Sequence, residues 1–101
     1  MQRTFMALAL ALLAPAAALA QGSLPDCVRV EAIARWGADA YNHFVRVDNR
    51  CDRRARCRVA TNVNPEAQTV EVAAGQSVEV ITFRGSPASE FTPRVTCELV
   101  R

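Results

Sequence analysis

Four cysteines, one histidine and a run of arginines are the residues of this chain best able to do chemistry, and their spacing limits what that chemistry is. Structural zinc sites pair cysteines two to four residues apart. Five residues separate Cys51 from Cys57, which makes zinc a weak use of these cysteines, and His43 is the only histidine, so a two-histidine site such as blue copper cannot be assembled within one chain. Neither a metal nor an organic cofactor is called for. Disulfides are the better use of the sulfur, and Cys27, Cys51, Cys57 and Cys97 allow three pairings. The spacing ranks Cys51–Cys57 with Cys27–Cys97 first. The short bridge would clamp a hairpin base around Asp52-Arg53-Arg54-Ala55-Arg56, and the long one would tie the first strand to the last. Loop-closure entropy assigns roughly 2 kcal/mol to the short ring and about 4 kcal/mol to the long one, before strain.

Such bridges need an oxidising compartment, and the first twenty residues read as the address. Arg3 gives a positive start, Phe5 to Leu13 is an unbroken apolar run, and Ala18-Leu19-Ala20 is a small-x-small cleavage site. Residues 1–20 are therefore expected to be a signal peptide, with the exported protein starting at Gln21 and working in the periplasm or outside the cell. The apolar run is too short to span a bilayer, and no cysteine follows the cleavage site to carry a lipid. Residues 21–101 make one domain of a size that gains from covalent staples.

The arginines are the second feature. There is no lysine, and from Arg46 to Arg58 six arginines stand against two acids. The rest of the exported chain carries five arginines and eight acids, so the sequence reads as one basic end on a mildly acidic body. Arg53, Arg54 and Arg56, presented on a disulfide-bounded loop, are the candidate binding residues. Guanidinium groups hold carboxylates and phosphates bidentately, which points to an acidic protein surface or an anionic envelope polymer. The same charges equally suit a solvated hairpin tip that keeps the sheet soluble. Nucleic acid is a poor fit, because single-strand platforms interleave aromatics with basic residues and this loop has none.

Catalysis has little to stand on. Ser23, Ser77, Ser86 and Ser89 sit in no nucleophile elbow, and their one possible base, His43, lies on the apolar face of a strand. That position implies a partly buried ring with a hydrogen-bond partner. Phe91, in the loop from Arg84 to Pro93, reads either as an exposed anchor or as a plug that packs back over the end of the domain. Trp36 closes the apolar face of the first strand, where packing on a disulfide would match an immunoglobulin-like core.

The elements that must position these residues are strands. Alternation with period two places Val28, Val30, Ala32, Ala34 and Trp36 on one face of residues 28–36, and Tyr41, His43, Val45 and Val47 on one face of residues 41–50. It continues over 57–63, 68–72, 77–83 and 94–100, with turns at Gly37-Ala38-Asp39, Asn64-Pro65-Glu66 and Ala73-Ala74-Gly75-Gln76. Half-buried strands divided by frequent turns predict an all-β fold, a small immunoglobulin-like or Greek-key antiparallel β-sandwich of about six to seven strands stapled by two disulfides.

At Asn49-Arg50-Cys51, Arg56-Cys57-Arg58-Val59, Asn62-Val63-Asn64-Pro65, Ala74-Gly75-Gln76-Ser77 and Val95-Thr96-Cys97, the chain resembles a group of short exported proteobacterial proteins with an Asn-x-Cys…Cys hairpin. The resemblance implies a β-sandwich and no catalytic residue. Together these readings lead to the expectation of a non-enzymatic binding module using the basic loop. An inhibitor of a protease or lysozyme, offering that loop to the enzyme's cleft, is one alternative. A structural subunit of a surface assembly is the other, and an exposed, uncharged edge strand would favour it.

Overall fold

The computed structural model describes residues 23–101, so the expected leader at residues 1–20 lies outside the described residues. Six strands follow one another: β1 (Val28–Gly37), β2 (Ala40–Asn49), β3 (Arg54–Thr61), β4 (Gln68–Val72), β5 (Ser77–Ser86) and β6 (Pro93–Val100). They form two antiparallel sheets, one ordered β1-β2-β5 and the other β4-β3-β6. The all-β, antiparallel, two-disulfide architecture anticipated from the alternation is the one observed, and the expected sandwich is compatible with it. No helix among the described residues is long and apolar enough to cross a membrane.

The two sheets share one core. Val28, Val45, Val47 and Val80 come from the first, and Ala55, Cys57, Val59 and Val72 from the second. All are small or β-branched, which suits closely packed strands but leaves little apolar area per residue. The apolar faces assigned by alternation to β2, β3 and β4 hold: Val45, Val47, Cys57, Val59 and Val72 are fully buried. Gly75 has φ 75°, as its turn requires, and Gly85 has φ 75° where β5 leaves its regular register.

The disulfide pairing differs from the expected one. Cys27 is bonded to Cys51 and Cys57 to Cys97. The reason is topological. β2 and β3 do not form a hairpin, because the chain changes sheets between Asn49 and Arg54, so Cys51 and Cys57 are not carried to facing positions. β1 and β2 are the hairpin, and its open end brings Cys27 beside Arg50, whose N–H donates to Cys27 O at 2.9 Å. Cys57 and Cys97 stand directly opposite in the β3–β6 ladder, with Cα atoms 4.0 Å apart. The bonded residues are 24 and 40 positions apart in sequence. Loop-closure entropy gives such rings comparable weight, about 3.5 and 4 kcal/mol.

Two further expectations change. β3 begins at Arg54, so Arg54 and Arg56 are strand residues and not loop residues. Trp36 does not pack on a disulfide: it is 63% exposed, with the edge of its ring toward Tyr41 at 5.0 Å. Alternation set its face correctly, but this far along β1 nothing lies over that face.

The molecule thus has two ends. At one, here the basal end, Cys51, Asn49, the Ala73–Gln76 turn and the last residues of β6 gather. At the other, the apical end, β2 residues just beyond the Gly37–Ala40 turn meet the end of β5 and the loop that follows it, Asn42 at Gly85 and His43 at Ala88 and Phe91.

Candidate functional site

The basal end is built around Asn49, the last residue of β2 and 1% exposed. Its side-chain nitrogen lies 2.9 Å from Arg53 O, 2.9 Å from Val72 O and 3.2 Å from Ala73 O, and its Oδ1 accepts from Cys51 N–H at 2.9 Å. One amide therefore ties the end of β2, the crossing segment and the end of β4 together. It also fixes where the arginines that follow must project. In the Asn49-Arg50-Cys51 motif this residue is a structural tie, a role its side-chain amide suits because it both donates and accepts.

From that tie β3 sets out with Ala55, Cys57 and Val59 inward, which sends Arg54, Arg56 and Arg58 to the outer face. The register fixes their neighbours. Arg56 stands between Glu71 of β4 and Glu98 of β6, with Nε 3.2 Å from Glu71 Oε2 and Nη1 3.4 Å from Glu98 Oε2. Arg54 reaches the same Glu71 at 3.7 Å. Arg58 stands between Thr69 and Thr96, and Arg53 remains in the crossing segment; neither makes an ion pair among the described residues.

The arginine run is therefore divided. Arg46 and Arg50 belong with the other sheet and lie 4.0 and 3.8 Å from Asp48. The Ser77 hydroxyl donates to that carboxyl and holds it below its ordinary value, with Arg46, Arg50 and Arg29 adding to the effect against partial desolvation. On the same sheet, Arg35 crosses the Phe44 ring, 4.7 Å from its centroid, to grip Glu79 with two bonds of 2.8 and 3.1 Å. That hydrogen bond lowers the Glu79 carboxyl and raises the Arg35 guanidinium. Exposed pairs of this kind contribute little individually, but they set the direction of each guanidinium.

Of the three arginines singled out from the sequence, Arg53 and Arg54 come together and Arg56 does not join them. Asp52, Arg53, Arg54, Ala74, Val100 and Arg101 line an open groove of about 660 Å³ at the basal end. Arg56 lines a separate hollow on the outer face of β3, with Arg58, Thr69 and Thr96. Arg101 is the contributor that sequence reasoning missed. Its only signal was the β3–β6 pairing that sets Val100 opposite Arg54. The ring expected to stiffen residues 51–57, on which the inhibitor alternative drew, is not closed, because each of its cysteines is bonded elsewhere.

At the apical end His43 is fully buried, its Nε2 2.7 Å from Ala88 O, its ring stacked on Phe91 at 4.1 Å and 14°. Phe83 lies beyond it at 6.2 Å. Phe91 is thus the plug and not the anchor, and His43 is bound to a backbone carbonyl in place of a serine hydroxyl. No group of three potential metal ligands occurs among the described residues. No protein-family model, no curated protein and no solved structure matches this chain.

Proposed function

We propose that this chain is an exported, non-enzymatic β-sandwich that binds an anionic partner, an acidic protein surface or an anionic envelope polymer, through Arg53 and Arg54 with Arg101. Export is supported by the leader-like residues 1–20 and by two disulfides, which belong to a non-cytoplasmic compartment. An immunoglobulin-like order is supported by the sheets: β1-β2-β5 and β4-β3-β6 correspond to strands A, B, E and C′, C, F of that fold.

The observation that carries the binding reading is the basal groove, where three guanidinium groups meet a single acidic side chain, Asp52. Arg53 has no intramolecular ion partner among the described residues. Such a group offers its donors to a ligand without first giving up a carboxylate. Arg56 acts differently. Held between Glu71 and Glu98, it is a positioning residue that fixes the carboxylate against which Arg54 rests.

Poly-glutamate beads supply the carboxylate probe. The protein is expected to be retained at low salt and released steeply as ionic strength rises. The double substitution Arg53→Ser with Arg54→Ser should move release to clearly lower salt. Unchanged release for that variant would remove these arginines from the binding surface.

A further inference from the structure

The four sheet edges of this molecule are finished in different ways. On β5, Gln68 Nε2 donates to Ile81 O at 2.8 Å and Asn64 Nδ2 to Thr82 O at 2.7 Å, so side chains cap its outward carbonyls. β5 also departs twice from regular register against β2. β4 is only five residues long. β6 opens on Pro93, and its Cys97 N–H is turned outward to Ser23 O. Short strands, proline, bulges and covering segments are the usual protections of an edge.

Among the described residues, β1 has none of these protections over most of its length. Its ten residues pair with β2 without a break in register. The flanking hydrogen bonds show which of its backbone groups are free. Asn49 N–H donates to Gln76 O, away from β1; Arg50 N–H donates to Cys27 O; and Val28 N–H is taken by Pro25 O. Antiparallel alternation then turns the N–H and C=O groups of the odd-numbered residues toward β2. Those of Val30, Ala32, Ala34 and Trp36 face the open edge. Ala32 and Trp36 are exposed on the inner side, and no charge points inward there.

We propose that this edge pairs with the same edge of a second copy, antiparallel, about a two-fold axis passing beside Ile33. In that register Val30 meets Trp36 of the second copy and Ala32 meets Ala34, and the converse, so every free group from Val30 to Trp36 finds a partner. On the outer face Glu31 stands opposite Arg35 of the second copy in both directions, where it can take the N–H donors that Arg35 does not spend on Glu79 of its own chain, and Ile33 meets Ile33. The strand is complementary to itself, as a two-fold interface demands. Sliding by one pairing step toward the basal end sets Arg29 against Arg35 twice, and sliding the other way sets Ile33 against Arg35. Opposed like charges on facing strands are destabilising, so charge selects the register. Glu31 makes no ion pair within the chain among the described residues, which leaves it for the second copy. The result is one continuous sheet, β5-β2-β1 followed by β1-β2-β5 of the second copy. It is independent of the basal arginines.

The test is a concentration series of the exported protein followed by light scattering and by emission of Trp36, the only tryptophan. Mass should double toward the high end while the emission shifts to the blue. Ala34→Pro removes an edge-facing N–H without touching the β2 ladder, and should hold mass at the monomer value and abolish the shift. Circular dichroism checks that this variant keeps its strands. Ile33→Cys places a thiol on the axis in a non-hydrogen-bonded pair, where facing side chains approach most closely, and should give a disulfide-linked dimer on mild oxidation. Arg35→Cys should not. A monomer throughout, a dimer untouched by Ala34→Pro in its folded form, or cross-linking through Arg35→Cys in preference to Ile33→Cys would overturn the proposal.

Discussion

The basal and apical ends hold the same two sheets together by different physics. At the basal end a disulfide and one buried amide specify the geometry: Cys27–Cys51 closes the β1–β2 hairpin, and Asn49 fastens three backbone segments. At the apical end there is no covalent tie among the described residues. An imidazole stacked on Phe91 and hydrogen-bonded to Ala88 seats the β5–β6 loop, while Trp36 and Phe83 stand partly in solvent. Hydrogen bonds and disulfides demand particular atoms at particular places, whereas stacked rings tolerate rotation and small shifts. The arginine groove lies at the end that is fixed, where preorganised donors lose least on docking.

Removing Asn49 should break this comparison most sharply. Asn49→Ala leaves the Val72 carbonyl buried without its donor and the Cys51 N–H without its acceptor. With each buried orphan costing roughly 1–3 kcal/mol, a total near 3 kcal/mol is expected. Urea unfolding with the disulfides intact measures it. A loss under about 1 kcal/mol would show that water replaces the amide and that the basal end is less closed than its burial indicates. The apical counterpart is His43→Ala, which removes the ring under Phe91 and the donor to Ala88. A cost of about 2 kcal/mol is expected, concentrated in faster hydrogen exchange over residues 85–92 with the basal amides unchanged. Equal acceleration at both ends would mean that the two ends open as one unit.

The same contrast explains what the sequence made legible. Period-two alternation found every strand, because each turns its apolar side chains to one face, even where, as at Ala32 and Trp36, that face is left uncovered. It also placed His43 inside, between Tyr41 and Val45 on the buried face of β2. The disulfide pairing was out of reach because it depends on which strands are neighbours, and a short connection such as Arg50–Arg53 can make a hairpin or change sheets. Reading Cys51 and Cys57 as a hairpin base then delayed β3 to residue 57, although Arg54-Ala55-Arg56-Cys57 already alternates. Trp36 failed for a related reason: alternation assigns a side chain to a face but does not say whether a second sheet extends over it. The basic cluster was legible as a count and not as a site. Its acidic partners Glu71 and Glu98 arrive from strands 15 and 42 residues away in sequence.

The smallest expected effect sharpens the comparison from the apical side, and it has the opposite sign. The turn between β1 and β2 has two residues, Ala38 and Asp39, closed by the Gly37–Ala40 pair. Ala38 holds φ at 55°, the only non-glycine residue with positive φ among those described. Its Cβ crowds the backbone in that conformation, and tight hairpin turns ordinarily place glycine or asparagine there. The turn persists because ten paired residues on each side impose it. Ala38→Gly removes the clash and adds freedom to the unfolded chain, two effects of opposite sign. Where the native φ is positive the first prevails, so a net gain of roughly 0.5–1 kcal/mol is expected. In a domain of this size that is a rise of about 2–8 °C in Tm. The same substitution at Ala74, in the basal turn, relieves no positive φ and should lower stability, since there only the entropic cost remains. A loss at Ala38 as well would mean that the apical turn, like the basal one, is held without backbone strain.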